Sequence, residues 1–294
     1  MQKILSDRKA ILLFVGPALL IYVVIVLIPV VWSVVYSFQE GTLLSGFRFV
    51  GLNNFGKLWG DRDFINSLVF GLRYAVFVST GQIAIGFLLA LVYTFYLKKA
   101  SALVRTILFF PVVLPTVAVA QMFTKLFEIT PQYGLVNALL DAAHLNAWIQ
   151  PWLGQSSTAF VVIVIMDIWR AIGFYGIILY SGLLDIPDEI IEAARLDGAQ
   201  QWKLVRYIVT PLLRPVLVTA IIFSLNGTLK VFESVLALTG GGPGNTTMPL
   251  TLYMYKTAFT VNQYGYGSTI AIFLTLECLL VTLFFYRFAR RDIA

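Results

Sequence analysis

Six long apolar stretches separated by polar segments dominate the hydrophobic pattern of this chain. A helix needs about 20 consecutive apolar residues to cross a hydrocarbon core about 30 Å thick. Stretches of this length lie at residues 11–38, 68–97, 104–127, 158–184, 211–238 and 268–288. The pattern therefore predicts an all-α integral membrane protein with six transmembrane helices, and residues 1–294 are expected to form one transmembrane domain. The first stretch is too long for a cleavable signal peptide and is predicted to be a retained helix.

Composition supports a membrane protein and excludes several other classes. Of the 294 residues, 59% are hydrophobic and only 12% are charged, which is too few polar residues to cover a water-facing surface. The net charge of +6 does not indicate nucleic-acid binding, because the basic residues lie at the ends of the apolar stretches. The single cysteine, Cys278, excludes an intrachain disulfide, and with the single histidine, His144, it argues against a metal site.

The basic residues also predict the orientation of the chain in the membrane. Alternate polar segments differ sharply in lysine and arginine, which favour the cytoplasmic side. The richer set contains Lys3, Arg8, Lys9, Lys98, Lys99, Arg105, Arg195, Lys203, Arg206, Arg214, Arg287, Arg290 and Arg291. The poorer set contains Arg48, Lys57, Arg62 and Lys256. Both termini and segment 185–211 are therefore predicted to be cytoplasmic.

Charged residues within the apolar stretches need a partner or a water-filled path, because a charge in the bilayer costs about 2.5 kcal/mol or more. Asp167 and Arg170 lie three residues apart on the fourth stretch, and Lys230 and Glu233 do so on the fifth. Each pair can neutralise itself on one helix face. Such a pair either fixes helix packing or contacts a substrate, and the sequence leaves both interpretations open.

Three further polar residues lie within the stretches. Gln82 and Gln121 suit either a transport pathway or an interhelical hydrogen bond. Glu277 has no obvious partner on its own helix, so we expect a cation from another helix or subunit.

Segment 185–211 has too ordered a pattern for a passive connector. Asp188 and Glu189 favour a helix N-terminus, and an apolar stripe follows them. Gly198 interrupts this stripe, and a second amphipathic turn begins near Trp202. The segment is predicted to form two short helices with a break at Gly198; an amphipathic helix lying on lipid is the alternative.

The same segment resembles the EAA loop of permease subunits of ABC importers. The matching residues are Glu192, Ala193, Ala194, Gly198, Ile208 and Pro211. Thr210 stands where that family usually has leucine. The strings FVGLNNF at 49–55, LTGGGPGNTT at 238–247 and LYMYKTAF at 252–259 resemble the carbohydrate branch of the family. The GGGPG string is similar to the F-type subunit of maltose permeases.

This resemblance implies a function and a set of partners. It implies a permease subunit of an ATP-binding-cassette importer that moves a saccharide, expected to be an oligosaccharide, across a prokaryotic cytoplasmic membrane. The EAA loop is expected to dock onto ATPase partners, so no catalytic residue and no cofactor is expected in this chain, and ATP and Mg are expected on those partners. The expected complex contains a second homologous permease, two ATP-binding subunits and an extracytoplasmic solute-binding protein, and no nucleic acid.

The resemblance also implies where a sugar is contacted. The sugar-contacting faces of the maltose-type subunit correspond to Asp167, Arg170, Ala171 and Phe174 on the fourth stretch, and to Ser224, Gly227, Thr228 and Val231 on the fifth. The set combines polar groups with an aromatic ring, which suits a saccharide. Gly227 and Val231 differ from a maltose-type site, and Arg170 leaves room for an acidic saccharide, so the identity of the sugar does not transfer.

Two other functional classes compete with this one. A membrane enzyme that uses Asp61, Asp63 or Asp167 would need a catalytic cluster at one depth, and the sequence offers no convincing one. An ion-coupled transporter could use Glu233 and Glu277, but it leaves the EAA-like loop unexplained.

Two short strings imitate ligand sites. The string GLNNFGKL at 51–58 has the glycine and lysine frame of a phosphate-binding loop, but Leu58 replaces the Ser or Thr that would hold magnesium. Asp61 and Asp63 form an Asp-x-Asp pair, and such isolated pairs are usually solvated loop charges. ATP hydrolysis is therefore expected on another chain.

Overall fold

The computed structural model describes residues 8–42, 44–97 and 100–290, which are predominantly helical. The α-helices are α1 (Arg8–Tyr22), α2 (Ile28–Ser37), α3 (Asn53–Leu58), α4 (Arg62–Val92), α5 (Ser101–Val113), α6 (Thr116–Leu126), α7 (Leu135–Ala142), α8 (Ser156–Leu184), α9 (Asp188–Leu196), α10 (Trp202–Leu204), α11 (Thr210–Leu229), α12 (Glu233–Leu238), α13 (Leu250–Tyr255) and α14 (Tyr264–Arg290). The strands are β1 (Gln39–Thr42) and β2 (Gly46–Phe49). Short π-helical segments lie at Val23–Leu27, Tyr93–Leu97, Val205–Val209 and Lys256–Thr260, and a 3-10 turn lies at Asn146–Trp148. Lys3, Lys98, Lys99 and Arg291, on which the predicted orientation partly depends, lie outside the described residues.

Within these residues, five helical stretches are long and apolar enough to cross a membrane. They are Leu12–Ser37, Arg62–Leu97, Ser156–Leu184, Trp202–Leu229 and Tyr264–Arg287. Together, α5 and α6 pass the same test, but they are bent by 95° relative to each other. The multi-pass prediction agrees with this architecture, and the predicted count of six holds only if that bent pair is one span.

The third predicted stretch, 104–127, is not one straight helix. Helix α5 ends at Val113, and Leu114 has an extended backbone with φ −69° and ψ 141°. Proline disfavours the helical conformation of the residue that precedes it, and Pro115 follows Leu114 directly. The chain therefore turns at this point before α6 begins.

The fifth predicted stretch, 211–238, is wrong at its C-terminal end. Helix α11 ends at Leu229, and a separate helix, α12, begins at Glu233. The backbone carbonyl of Val231 in the intervening segment accepts a hydrogen bond from the hydroxyl of Thr251. A continuous helix would need this carbonyl for its own ladder, so the hydroxyl stabilises the break.

The chain divides into two compact units, of which one comprises the chain up to Phe64 together with Tyr253–Thr275. In this unit β1 and β2 form an antiparallel hairpin in which Gln39 lies opposite Phe49. The side chain of Asn54 donates to the carbonyl of Gln39 at 2.8 Å, which ties α3 to the hairpin. The all-α prediction did not include this hairpin.

The other unit comprises Ile65–Leu252 and the chain from Leu276 onward. Helix α8 packs against α5 and α11 within it. A buried apolar cluster joins the C-terminal half of α8 to the segment that follows it. Its members are Ala90, Tyr175, Leu179, Leu183, Ala194, Leu204, Val209, Leu213 and Ala220.

The contact between α5 and α8 depends on a glycine. A Cβ atom built on Gly173 would lie 2.0 Å from the backbone oxygen of Leu108 and 2.7 Å from the backbone nitrogen of Phe109. Such distances are far below van der Waals contact, so only glycine permits the two backbones to approach this closely.

Candidate functional site

A cavity of about 370 Å³ lies between α4, α8, α11 and the segment that leads into α12. Seven of the eight predicted sugar-contacting residues line it together: Asp167, Arg170, Ala171, Ser224, Gly227, Thr228 and Val231. The helical spacing of the two predicted faces thus brings them to one space. Whether a substrate occupies this space stays a prediction.

Asp167 is the most densely bonded group of the cavity. It is only 4% exposed. Its Oδ2 accepts a hydrogen bond from the hydroxyl of Tyr74, and its Oδ1 accepts one from Ser234 Oγ at 2.9 Å. Arg170 Nε lies 3.5 Å from the same Oδ1. The carboxylate therefore links α4, α8 and α12.

Arg170 is more open than its partner, because 28% of its side chain is exposed. Its Nη1 donates to Thr116 Oγ1 at 2.9 Å, whereas its Nε has no hydrogen-bond acceptor among the described residues. The ion pair with Asp167 is thus looser than a bidentate arginine–carboxylate pair. Unused donor capacity at the guanidinium remains beside the cavity.

A chain of hydrogen bonds connects α4 to the other predicted face. Ser224 Oγ donates to Gln82 Oε1 at 2.7 Å, and Gln82 Nε2 donates to the carbonyl of Asp167 at 3.1 Å. The hydroxyls of Thr228 and Ser79 lie 3.2 Å apart. Gln82 therefore forms an interhelical bond and lines the cavity at the same time, so the two alternatives for this residue are not exclusive.

The aromatic member of the predicted set lies elsewhere. Phe174 does not line the cavity; its ring contacts Tyr175 at 5.2 Å and Phe223 at 6.0 Å between centroids. Tyr175, the next residue on α8, lines the cavity instead. A shift of one position turns a helical side chain by about 100°, which explains the difference.

The second predicted ion pair is not formed. Lys230 and Glu233, both within the described part of the chain, line the cavity but do not lie within ion-pair distance of each other. The helix ends between them, at Leu229, so the i, i+3 geometry on which the pairing depended is absent. Both charges face the cavity as separate groups.

Two other intramembrane candidates stand apart from the cavity. Gln121 is exposed on α6 and is not part of the lining. Both carboxylate oxygens of Glu277 are buried without a hydrogen-bond partner in the described residues. The cation expected for Glu277 is therefore not found in that part of the chain.

Five cavity residues were missed by the sequence analysis: Tyr74, Thr116, Tyr175, Phe232 and Ser234. Tyr74 and Ser234 bond to Asp167 across 93 and 67 residues of sequence. A buried carboxylate needs hydrogen-bond donors. The sequence therefore indicated that Asp167 has such donors, but it did not indicate which residues they are.

Segment 185–211 has the predicted helix–break–helix form. Helix α9 ends at Leu196, Gly198 has φ +85°, and α10 begins at Trp202. Three of its apolar side chains, Ala194, Leu204 and Val209, are buried in the cluster beneath it. This packing on the protein's own core accounts for part of the apolar stripe.

The outer surface of this segment carries large apolar side chains among its charged residues. Leu196 is 89% exposed and Trp202 is 72% exposed. Of the predicted coupling residues, Glu192, Ala193, Gly198 and Pro211 are exposed, Ala194 is buried, and Ile208 packs partly against the core cluster. The segment therefore presents both an acidic and a large apolar contact to its surroundings.

The Asp-x-Asp pair has a structural role. Asp61 Oδ1 accepts the backbone amides of Asp63 and Phe64, and its Oδ2 accepts the hydroxyls of Tyr253 and Tyr266. Burial raises the pKa of Asp61, but these hydrogen bonds outweigh it and hold that pKa below its usual value. The described residues contain no group of His, Cys, Asp or Glu placed to hold a metal ion.

Comparison with known proteins gives one family. A sequence model of the "Binding-protein-dependent transport system inner membrane component" family matches residues 82–293. The probable ABC transporter permease protein YurN of Bacillus subtilis is 34% identical over 285 residues, which cover 95% of this chain and 97% of that protein. The trehalose/maltose transport system permease protein MalF of Thermococcus litoralis is 30% identical over 279 residues, which cover 95% and 92%.

Solved structures agree in fold. A crystal structure of a bacterial ABC transporter involved in the import of the acidic polysaccharide alginate matches with a TM-score of 0.85 and 22% identity, covering 99% of this chain and 100% of that chain. A bacterial alginate ABC transporter in complex with an alginate pentasaccharide-bound periplasmic protein matches with a TM-score of 0.82 and 21% identity, covering 95% and 93%.

Proposed function

Because the chain belongs to the inner membrane components of binding-protein-dependent transport systems, we propose that it passes an oligosaccharide through the cavity beside Arg170 into the cytoplasm. The chain is the permease subunit of a sugar ABC importer and a multi-pass inner membrane protein. It is a transport subunit, not an enzyme. The trehalose/maltose system of one relative and the alginate pentasaccharide of one structural neighbour support an oligosaccharide as the substrate.

The mixed lining of the cavity is the observation that carries this proposal. Carboxylate, guanidinium and hydroxyl groups meet the ring of Tyr175 in one space. Sugars combine hydroxyls with apolar ring faces, and sites for them place a few polar groups beside an aromatic surface. The cavity supplies both kinds of contact.

The two members of the ion pair have different roles in this proposal. Both oxygens of Asp167 are already engaged, and the residue is buried. Arg170 is partly exposed, and its guanidinium lines the cavity, where Nη1 donates to Thr116. Asp167 therefore positions Arg170, and Arg170 contacts the substrate, with a preference for saccharides that carry carboxylates.

Segment 185–211 couples this chain to its ATPase partners. The exposed Leu196 and Trp202 offer the apolar contact, and Glu192 offers a charged one. Ala194 and Leu204 anchor the segment to the core beneath it. ATP and Mg are bound by two partner ATP-binding subunits, and this chain binds neither.

A second homologous permease and an extracytoplasmic solute-binding protein complete the importer. A volume of about 370 Å³ is near the lower limit of the range of roughly 300–1,000 Å³ for small-molecule pockets. An oligosaccharide therefore needs a further wall, which the second permease supplies. Both termini face the cytoplasm, in line with the lysine and arginine distribution.

Uptake by the reconstituted complex tests the substrate. Proteoliposomes that hold the purified importer are supplied with the binding protein and a panel of labelled monosaccharides, neutral oligosaccharides and uronic-acid oligosaccharides. Uptake should require ATP on the ATPase side and persist with an uncoupler. Uptake that collapses with the uncoupler, or a panel in which monosaccharides alone are carried, would contradict the proposal.

Arg170→Gln tests the cavity. It should raise the KM for uronic-acid oligosaccharides at least tenfold and change the KM for neutral ones much less. Arg62→Gln, which removes an exposed arginine from the start of α4, is the matched control and should change neither. Equal kinetics in both variants would remove Arg170 from the pathway.

Gly198→Val tests the coupling segment. Gly198 has φ +85°, and a Cβ atom there meets open space, so the change strains the backbone without a clash. Retention of ATPase subunits on the tagged permease and ATP-driven uptake should both be lost. Gly51, with φ +58° and open space, is the matched control, and Gly51→Val should retain both. Retention in the Gly198→Val variant would show that the segment does not hold the ATPase.

A further inference from the structure

A groove of about 850 Å³ lies between the N-terminal halves of α4 and α8 and residues 244–246. Its uncharged polar lining consists of Asn66, Ser156 and Ser157, near the N-terminal ends of the two helices, and of Asn245 and Thr246. Its wall consists of large apolar side chains that remain about half exposed: Val69 at 47%, Phe77 at 56%, Val161 at 46% and Ile165 at 47%. The groove therefore changes from polar to apolar along its length.

Arg73 lies in this groove and carries an unpaired charge. Its guanidinium carbon stands 5.2 Å from the centre of the Phe160 ring. In the described ranges, neither a carboxylate nor any other hydrogen-bond acceptor contacts Arg73. Because a charge within a span is costly without a counter-charge, an anion is needed at this position.

The depth of Arg73 identifies the kind of anion. The span Arg62–Leu97 has 36 residues, or about 54 Å at 1.5 Å per residue, whereas the hydrocarbon core is about 30 Å thick. If the span is centred, about 12 Å of helix extends beyond the core at each end. Arg73 is about 16 Å from the start of the helix and lies a few ångströms inside the core boundary. An arginine at this depth extends its guanidinium to the level of lipid phosphates.

We propose that this groove binds a phospholipid, with Arg73 holding the phosphodiester and the apolar wall holding an acyl chain. The charge of Arg73 is complementary to the phosphate, and a planar guanidinium matches its oxygens. Ser156 and Ser157 add hydroxyl donors at the same end, and Val69, Phe77 and Val161 accept the chain below. The site is separate from the cavity beside Arg170 and does not depend on which sugar is transported.

Retention of lipid by the intact importer tests the site. The detergent-purified complex is titrated with phosphatidylglycerol, and bound copies are counted by native mass spectrometry. Arg73→Gln should weaken the tightest-bound copy about tenfold or more, as expected for the loss of a charge-assisted hydrogen bond. Arg73→Lys should lose less, because it keeps the charge. Arg62→Gln removes an equal charge from the same helix outside the groove and should leave binding unchanged.

A glycolipid separates the phosphate from the acyl chain. Digalactosyldiacylglycerol, which has acyl chains but no phosphate, should bind the wild-type complex as weakly as phosphatidylglycerol binds the Arg73→Gln variant. Inorganic phosphate at millimolar concentration should not displace the lipid. Equal retention in wild type and Arg73→Gln, equal binding of the glycolipid, or displacement by free phosphate would each overturn the proposal. So would a disulfide cross-link from the Val161→Cys variant to the second permease, because that protein would then cover the groove.

Discussion

Replacement of Asp167 by alanine is expected to destabilise the protein strongly, although only one small side chain is truncated. The change leaves the hydroxyls of Tyr74 and Ser234 without an acceptor, and these residues are 1% and 3% exposed. An orphaned buried donor costs about 1–3 kcal/mol. Arg170 also loses its counter-ion, and removal of one partner of a buried ion pair costs about 3–5 kcal/mol. These effects overlap, so the free energy of unfolding should fall by about 3–5 kcal/mol.

Two milder variants provide comparison values for the loss of stability expected from Asp167→Ala. Asp167→Asn keeps the shape and one acceptor for Tyr74 but loses the charge, so its cost should be intermediate. Tyr74→Phe removes one donor and leaves the carboxylate with Ser234 and Arg170, at a cost of about 1.5–3 kcal/mol. The apparent melting temperature of the detergent-purified complex, followed by intrinsic fluorescence, should fall in the order Tyr74→Phe, Asp167→Asn, Asp167→Ala.

The order of these variants is the decisive result. If Asp167→Ala melts like the wild type, the carboxylate is not an essential link between the helices. If Asp167→Asn retains both its melting temperature and its uptake, the charge of Asp167 does not position Arg170, and the role assigned to it is wrong.

Three further changes have defined outcomes. Gly173→Ala should lower the stability by about 1–3 kcal/mol, because its methyl group overlaps a neighbouring backbone; thermal melting of the complex measures this. Thr251→Val should cost about 1–3 kcal/mol by leaving the Val231 carbonyl unsatisfied, and hydrogen exchange should increase in the adjoining segment. Tyr253→Phe removes a hydrogen bond to the Asp61 carboxylate, whose pKa is lowered on folding. The loss of stability in this variant should be complete above about pH 4 and should become smaller as the pH falls further. Thermal melting across a pH series tests this.

Matched control variants show whether a substitution of the same type destabilises the protein at a position that lacks the specific contact. Gly71→Ala, at a helical glycine with open space, should be neutral or slightly stabilising. Thr219→Val removes an exposed bond within one helix and should have little effect. Tyr133→Phe, at an exposed loop tyrosine, should show no pH-dependent change. A control that matches its test variant would refute the corresponding explanation.

The spans could be predicted from sequence because a bilayer imposes a simple length requirement on apolar residues. The breaks within them could not. At Leu114 the signal was present, since a proline follows, but prolines also occur in continuous membrane helices. At Val231 the cause is the hydroxyl of Thr251, which lies 20 residues away and enters no local pattern.

In the cavity, too, the residues that share a helix face could be predicted from sequence, whereas their partners on other helices could not. The residues on each helix face follow from helical spacing, and the two faces selected by the resemblance to permeases line one cavity. The assignment failed for Phe174, where the neighbouring Tyr175 takes its place. It also failed for the Lys230–Glu233 pair, because that pairing assumed a helix that ends at Leu229. Partners such as Tyr74 become visible only when the helices are assembled.

The close contact at Gly173 provides a point about which α8 can tilt as a rigid body. The helix is stiff along its axis, and at Gly173 the backbone of α5 approaches it without an intervening side chain. Along the helix axis, Asp167 lies about 9 Å from Gly173 on one side, and Leu184, four residues before the start of α9, lies about 16 Å from it on the other. A sideways displacement of the α9 end should therefore arrive at Asp167 reversed in direction and reduced to roughly half.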